Sequence, residues 1–282
     1  MTRLRRRPMR FAAVLAMAVL LPPGCTDKEP ATETRTAGTG RATPDTQATL
    51  PTVVLDMITA HGGLVAWRAA PTVSFEDEFS SPGSPPAVSR VMVEQSRRRA
   101  YLDFPADSAS IAWDGAECWS TNWKQPYPPR FLALLNYYFL NLPWLTADPG
   151  VKLGDPVPGR LFDDPTEYAT VMMTFEAGTG DTPDDYYRLY IDPVTKRLKA
   201  CAYVVTYRAL LPEGAASTPE HILVFDEHAT VNGLVVPTKY TIYGTDHSVI
   251  AACSVRDWAF DRPFDEARMV RGEGGVVDSS TP

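Results

Sequence analysis

Four histidines, His61, His221, His228 and His247, are the first residues of this 282-residue chain to test for chemistry, because neutral imidazoles at suitable spacing ligate transition metals. His221 and His228 lie seven apart in one strand-like run. A two-residue period puts them on opposite faces, out of reach of a shared ion. His61 precedes Gly62-Gly63 at the end of a helical pattern, where a charged imidazole suits the helix dipole. The segment 178–185, Gly-Thr-Gly-Asp-Thr-Pro-Asp-Asp, gathers three carboxylates. A calcium loop alternates its oxygen ligands around a sharp glycine and closes on a distant Glu; this segment does neither, and it reads as an acidic hairpin loop. The expectation is no metal site and no cofactor.

Covalent and phosphate chemistry fare no better. The chain has no Gly-x-Ser-x-Gly, no His-Glu-x-x-His and no phosphate loop, and no cysteine stands near a histidine in sequence. The paired carboxylates of glycoside hydrolysis are a tertiary property, and no pair stands out. Past Cys25 the cysteines are Cys118, Cys201 and Cys253, an odd number, and the last two fall in apolar runs. They read as buried small hydrophobes in preference to a disulfide. A non-enzymatic protein is expected.

Large rings are the more informative class. Core packing accounts for any one of them. Gathered around small neighbours such as Ala200, Ala202, Ala251 and Ala252, they leave space for an apolar ligand. Trp113, Trp119, Phe131, Leu135, Phe139, Tyr203 and Tyr240 are the expected cavity-lining residues.

The elements that would position them are mostly strands. From Tyr168 to Phe260 apolar residues alternate with polar ones at a period of two, the mark of antiparallel strands. In the run from Leu234 to Tyr243, Leu234, Val236, Tyr240 and Ile242 oppose Lys239, Thr241 and Tyr243. Asn232-Gly233 supplies a hairpin turn, since both residues tolerate positive φ, and Asp192-Pro193-Val194-Thr195 suits a type I turn. The runs 198–208 and 249–260 are apolar on both faces, which predicts one face against a helix or lid and the other against a cavity. Earlier strands are expected over 72–79, 88–95, 99–104, 110–113 and 117–122, with Asp114-Gly115 as a hairpin turn. Residues 50–69 read as a helix broken at Gly62-Gly63. Residues 127–145 are apolar nearly all round, which predicts a helix pair plugged onto the concave face of the sheet. An irregular, proline-marked crossing follows. The fold class is mainly β: a strongly curved antiparallel sheet or incomplete barrel of ten or eleven strands wrapped around helices.

Ahead of this single domain, expected over 50–270, lies a leader. Arg3, Arg5, Arg6, Arg7 and Arg10 form a basic n-region, and Phe11–Leu21 is an apolar run, too short for a bilayer-spanning helix of about 20 residues and suited to a signal peptide over 1–24. Gly24-Cys25 at its end resembles a lipoprotein processing box, with Pro22-Pro23 departing from it. Cys25 is therefore the candidate lipidation site, carrying fatty acyl chains such as palmitate. Residues 26–49, rich in Thr, Ala, Gly and Pro, lack the apolar surface to offset ordering entropy and read as a disordered tether; 271–282 reads as a frayed tail. Without the leader, 22 of the 27 basic residues face 34 acidic ones, a net charge of −12. Such a surface disfavours nucleic acid.

His61-Gly62-Gly63-Leu64-x-x-Trp67, Trp113-Asp114-Gly115…Trp119 and Tyr190-Ile191-Asp192-Pro193-x-Thr195, together with a leader ending at a cysteine, give a combination that resembles the outer-membrane lipoprotein-sorting-like family. The resemblance covers about residues 51–260. It implies an incomplete β-barrel packed around helices, with an apolar cavity for lipid or lipoprotein acyl chains. The favoured reading is a membrane-tethered, non-enzymatic protein of the cell envelope that binds a lipid or acyl chain, lipid-anchored on the periplasmic side or exported. A structural or interaction protein with a filled core, and a periplasmic enzyme of unknown reaction, stand as alternatives.

Overall fold

The computed structural model describes residues 50–282; the expected signal peptide, Cys25 and the tether lie outside the described residues. Two short helices come first, α1 (Thr52–Ala60) and α2 (Leu64–Ala69). The strands β1 (Thr72–Ser80), β2 (Ala87–Glu94), β3 (Arg99–Phe104), β4 (Ala109–Trp113) and β5 (Cys118–Thr121) follow as a meander. Next come α3 (Pro129–Ala133), α4 (Leu135–Leu140) and α5 (Leu142–Leu145). The chain then forms β6 (Val151–Leu153), β7 (Val157–Gly159), β8 (Tyr168–Phe175), β9 (Tyr187–Ile191) and β10 (Leu198–Tyr203). It ends with β11 (His221–Val231), β12 (Leu234–Tyr243), β13 (Val249–Ala259) and β14 (Val276–Val277).

All strands among the described residues belong to one open antiparallel sheet ordered β14-β5-β4-β3-β2-β1-β13-β12-β11-β10-β9-β8-β6, with β7 also on β8. The two halves of the chain run outward and inward and are sewn together by β1 and β13, where Glu78 pairs with Ser254. The segment carrying α3–α5 therefore starts beside β5 near one edge and ends at β6 on the other. Crossing the inner face is the route that topology imposes on it. Three short helices form where a pair was expected, because Leu134 and Asn141 leave helical geometry (ψ 1° and 13°). Pro129 and Pro143 occupy first-turn positions, where a missing N–H is harmless.

The inner face and these helices share one core. Tyr137, Leu140, Trp144 and Leu145 are buried with Val171, Leu189, Leu223 and Val236 of the strands. Trp67 stacks on Trp144 with centroids 4.5 Å apart and planes 5° from parallel. His61 meets the edge of Trp144 at 5.8 Å. The His-Gly-Gly-Leu-x-x-Trp motif thus works as a fastener between the N-terminal helices and α5. Gly62 shows why glycine is needed in it: φ is +99°, and a Cβ there would stand 2.3 Å from the Gly233 carbonyl oxygen. Gly233 belongs to the β11–β12 turn, where Asn232 and Gly233 both have positive φ (51° and 80°), as the Asn-Gly pair predicts.

The outer face of β8–β11 lies under a lid: Tyr168, Tyr190, Ala200, Ala202 and Val224 pack there beneath Leu161 and Phe162 in a second apolar cluster. Two features differ from the sequence expectation. The proline-marked crossing contributes β6 and β7, three residues each, since even a short run beside an unpaired edge gains ladder hydrogen bonds. The 271–282 segment, expected as a frayed tail, adds β14 to β5. Asp278 N–H donates to Cys118 O at 2.8 Å, its carboxylate accepts from Arg130 N at 2.8 Å, and Ser280 bonds Tyr207 at 2.9 Å. Those partners come from distant parts of the chain, so local composition did not reveal them. β6, β7 and β14 bring the strand count among the described residues to fourteen.

Candidate ligand-binding cavity

Between the inner face and α3–α4 the packing is incomplete. A cavity of about 90 Å³ is walled by Phe79, Leu102 and Phe104 from β1 and β3, by Tyr203, Leu223, Tyr240 and Ile242 from β10–β12, and by Phe131, Leu135 and Phe139 from the helices. A wider one of about 330 Å³ adjoins it toward β4 and β8, with Met173, Phe175 and Tyr187 along its wall. The two share Phe131, Leu135, Phe139 and Val205, so these four side chains form the partition between them. The mouth of the wider cavity is polar: Arg130 pairs with Asp181 at 2.6 Å and lies over the Trp113 ring at 4.8 Å, and Arg98 reaches Asp148 at 2.7 Å.

Of the seven expected lining residues, Phe131, Leu135, Phe139, Tyr203 and Tyr240 line the smaller cavity and Trp113 lines the wider one. Trp119 lines neither. It sits in a separate depression beside Tyr101, Thr121 and Arg268. The hairpin register explains this: Trp113 pairs with Cys118, whereas Trp119 pairs with Ala112 and so points to the other face of the sheet.

One residue the sequence reading missed is Asp77. It is 2% exposed and stands in the wall of the smaller cavity. Tyr240 donates its hydroxyl to Oδ1 at 3.1 Å, and Asn136 donates Nδ2 to Oδ2 at 3.0 Å. Burial pushes this carboxyl up to about 7; the two donated bonds pull the other way, and Glu78 adds to the rise. A signal was present: in β1, Asp77 alternates in phase with Val73, Phe75 and Phe79 and pairs with Ser89 as they pair with Val93, Val91 and Ala87. A carboxylate on the apolar face of a strand is the kind of exception that marks a site.

The remaining titratable clusters are structural. His61 donates Nδ1–H to Val235 O at 2.8 Å and accepts at Nε2 from Leu198 N at 3.2 Å, which fixes a neutral tautomer. Burial holds its imidazole down at about 4. The expectation that His221 and His228 face opposite sides is corrected by a bulge at 225–228, where the β11–β12 register shifts twice. His221 then packs 5.8 Å from Tyr203, and His228 packs 5.7 Å from His61, both on the inner side. Among the described residues no three His, Cys, Asp or Glu converge as a metal site would require. In the acidic loop, Asp185 is buried and accepts from Thr206 and Thr182, a turn brace.

No family model matches the chain, and no curated protein matches it. Among solved structures it is similar to a LolA superfamily protein from Nitrosomonas europaea (TM-score 0.45, 10% identity, covering 70% of this chain and 87% of that one). A DUF1329 family protein from Desulfovibrio piger gives 0.48 and 10%, covering 77% and 93%. An outer membrane lipoprotein-sorting protein domain from Vibrio parahaemolyticus gives 0.46 and 8%, covering 77% and 94%.

Proposed function

We propose that this chain is a membrane-tethered protein of the cell envelope that holds a lipid or acyl chain between its helices and the inner face of its sheet, by binding and without catalysis. The observation that carries this reading is the pair of adjoining cavities, which are walled mainly by aliphatic and aromatic side chains and share Phe131, Leu135, Phe139 and Val205. Each methylene moved from water into such a site gains about 0.8 kcal/mol, so each two-carbon extension of a bound chain should tighten binding by about tenfold. The sequence leader supplies the address, with Cys25 as the lipidated residue.

A displacement assay tests it. The full chain carrying Cys25→Ser is loaded with an environment-sensitive dye and titrated with fatty acids of eight to sixteen carbons. Displacement that strengthens with chain length supports the reading, and a dye signal indifferent to every chain contradicts it. The small volume of the inner cavity, about 90 Å³, favours a second reading: a structural or interaction protein whose core is filled and binds nothing. The same titration separates the two.

A further inference from the structure

Asp77 gives the inner cavity a chemical preference. A carboxylate offers about four lone-pair positions, and the structure fills two of them, one per oxygen, with Tyr240 and Asn136. Among the described residues no Lys, Arg or His forms an ion pair with it. Ser89 and Gln125 add a hydroxyl and an amide to this wall, but its charged groups are carboxylates, Asp77 and Asp107, and no Lys, Arg or His is among its lining residues. Around it lie Phe79, Leu102, Leu135 and Ile242, which offer nothing to a charged group.

We infer that the ligand end lodged beside Asp77 is a hydrogen-bond donor, the hydroxyl or amine of an otherwise apolar molecule, and that a carboxylate end is turned away. The inference rests on the cavity reading and deepens it by naming which amphiphiles enter polar end first. A donor satisfies the open lone pairs at once, while a carboxylate brings like charge into a dry wall. A fatty acid would accordingly lie with its methyl end inward and its carboxylate at the mouth.

Octanol, octylamine and octanoate make the comparison at equal chain length. Calorimetric titration of the full Cys25→Ser chain at pH 8 is expected to rank octanol and octylamine at least about tenfold tighter than octanoate, the effect of one like-charge contact. Octanol is the neutral arm, so general attraction of a cation to an acidic protein cannot produce its share of the gap. In Asp77→Asn the gap between octanol and octanoate should close to within about threefold, through tighter octanoate binding. Octanoate binding as tightly as octanol in the unsubstituted cavity overturns the inference while leaving the apolar-ligand reading in place. Failure of all three probes to bind overturns both. If Asp77→Asn does not fold, the gap is followed in the unsubstituted chain from pH 8 to pH 6, where Asp77 takes up a proton while octanoate stays charged; a gap that narrows supports the inference and an unchanged one overturns it.

Discussion

Gly62 stands against Gly233 so closely that a single added carbon would lie 2.3 Å from the Gly233 carbonyl oxygen, at a backbone angle of +99°. The end of the first helix and the tip of the β11–β12 hairpin are in this way one joint. Gly62→Ala must open it. A loss of about 2–4 kcal/mol is expected from strain and overpacking together, read by urea denaturation, whereas Gly63→Ala, with open space around its Cβ position, should lose only the strain.

The joint also sets a dependence on acid. His61 titrates near 4 in the folded chain against 6.5 for an ordinary imidazole, so between these values the unfolded chain binds a proton that the native state refuses. Its contribution is complete above pH 6.5 and is lost as pH falls toward 4, about 3 kcal/mol in all. His228, also held down at about 4 by burial, adds in the same direction. Asp77 acts oppositely: its folded value of about 7 exceeds the ordinary 3.8, so its contribution is complete below pH 3.8 and is lost as pH rises to 7. Stability should therefore rise from pH 4 to 6.5, and Asp77→Asn should steepen the rise. A flat profile in both proteins contradicts this balance.

The C-terminal segment is a strap across α3 and the loop after β10, fixed by Asp278 and Ser280. Asp278→Ala should lower stability by about 1 kcal/mol and raise hydrogen exchange at Arg130 and Asp278 above that of the β3–β4 ladder. Unchanged exchange at Arg130 would mean the strap is not holding α3.

Cys118, Cys201 and Cys253 are all unpaired and buried, and burial pushes the Cys118 thiol up to about 12. Thiolate is the reactive form. A thiol reagent at pH 8 should leave these three untouched in the native protein and label all three in denaturant; rapid native labelling at any of them would show that the core opens there.

Much of the fold was legible because alternation and turns are local. β3 and β12 fall on the expected residues, 99–104 and 234–243, and α1 and α2 break at Gly62-Gly63. What was hidden depended on register or on distant partners. Trp119 lies on the other face from Trp113 because Trp113 pairs with Cys118 and Trp119 with Ala112 across the β4–β5 hairpin. His228 turns inward through a bulge that no periodicity announces. The strands β6, β7 and β14 exist because an unpaired neighbour was waiting for them. Asp77 was legible in principle, in phase with Phe75 and Phe79, and its meaning depended on Tyr240 reaching it from 163 positions away.

The central claim is that the space between α3–α4 and the sheet is kept for an apolar ligand. Native mass spectrometry of the full Cys25→Ser chain, purified without detergent, tests it most directly when compared with Leu135→Trp, which fills the partition between the two cavities. The account predicts adduct masses of acyl-chain size on the first protein, their loss from the second, and similar melting temperatures for both. A clean unliganded spectrum for both, with no adduct after incubation with octanol or fatty acid, would contradict it.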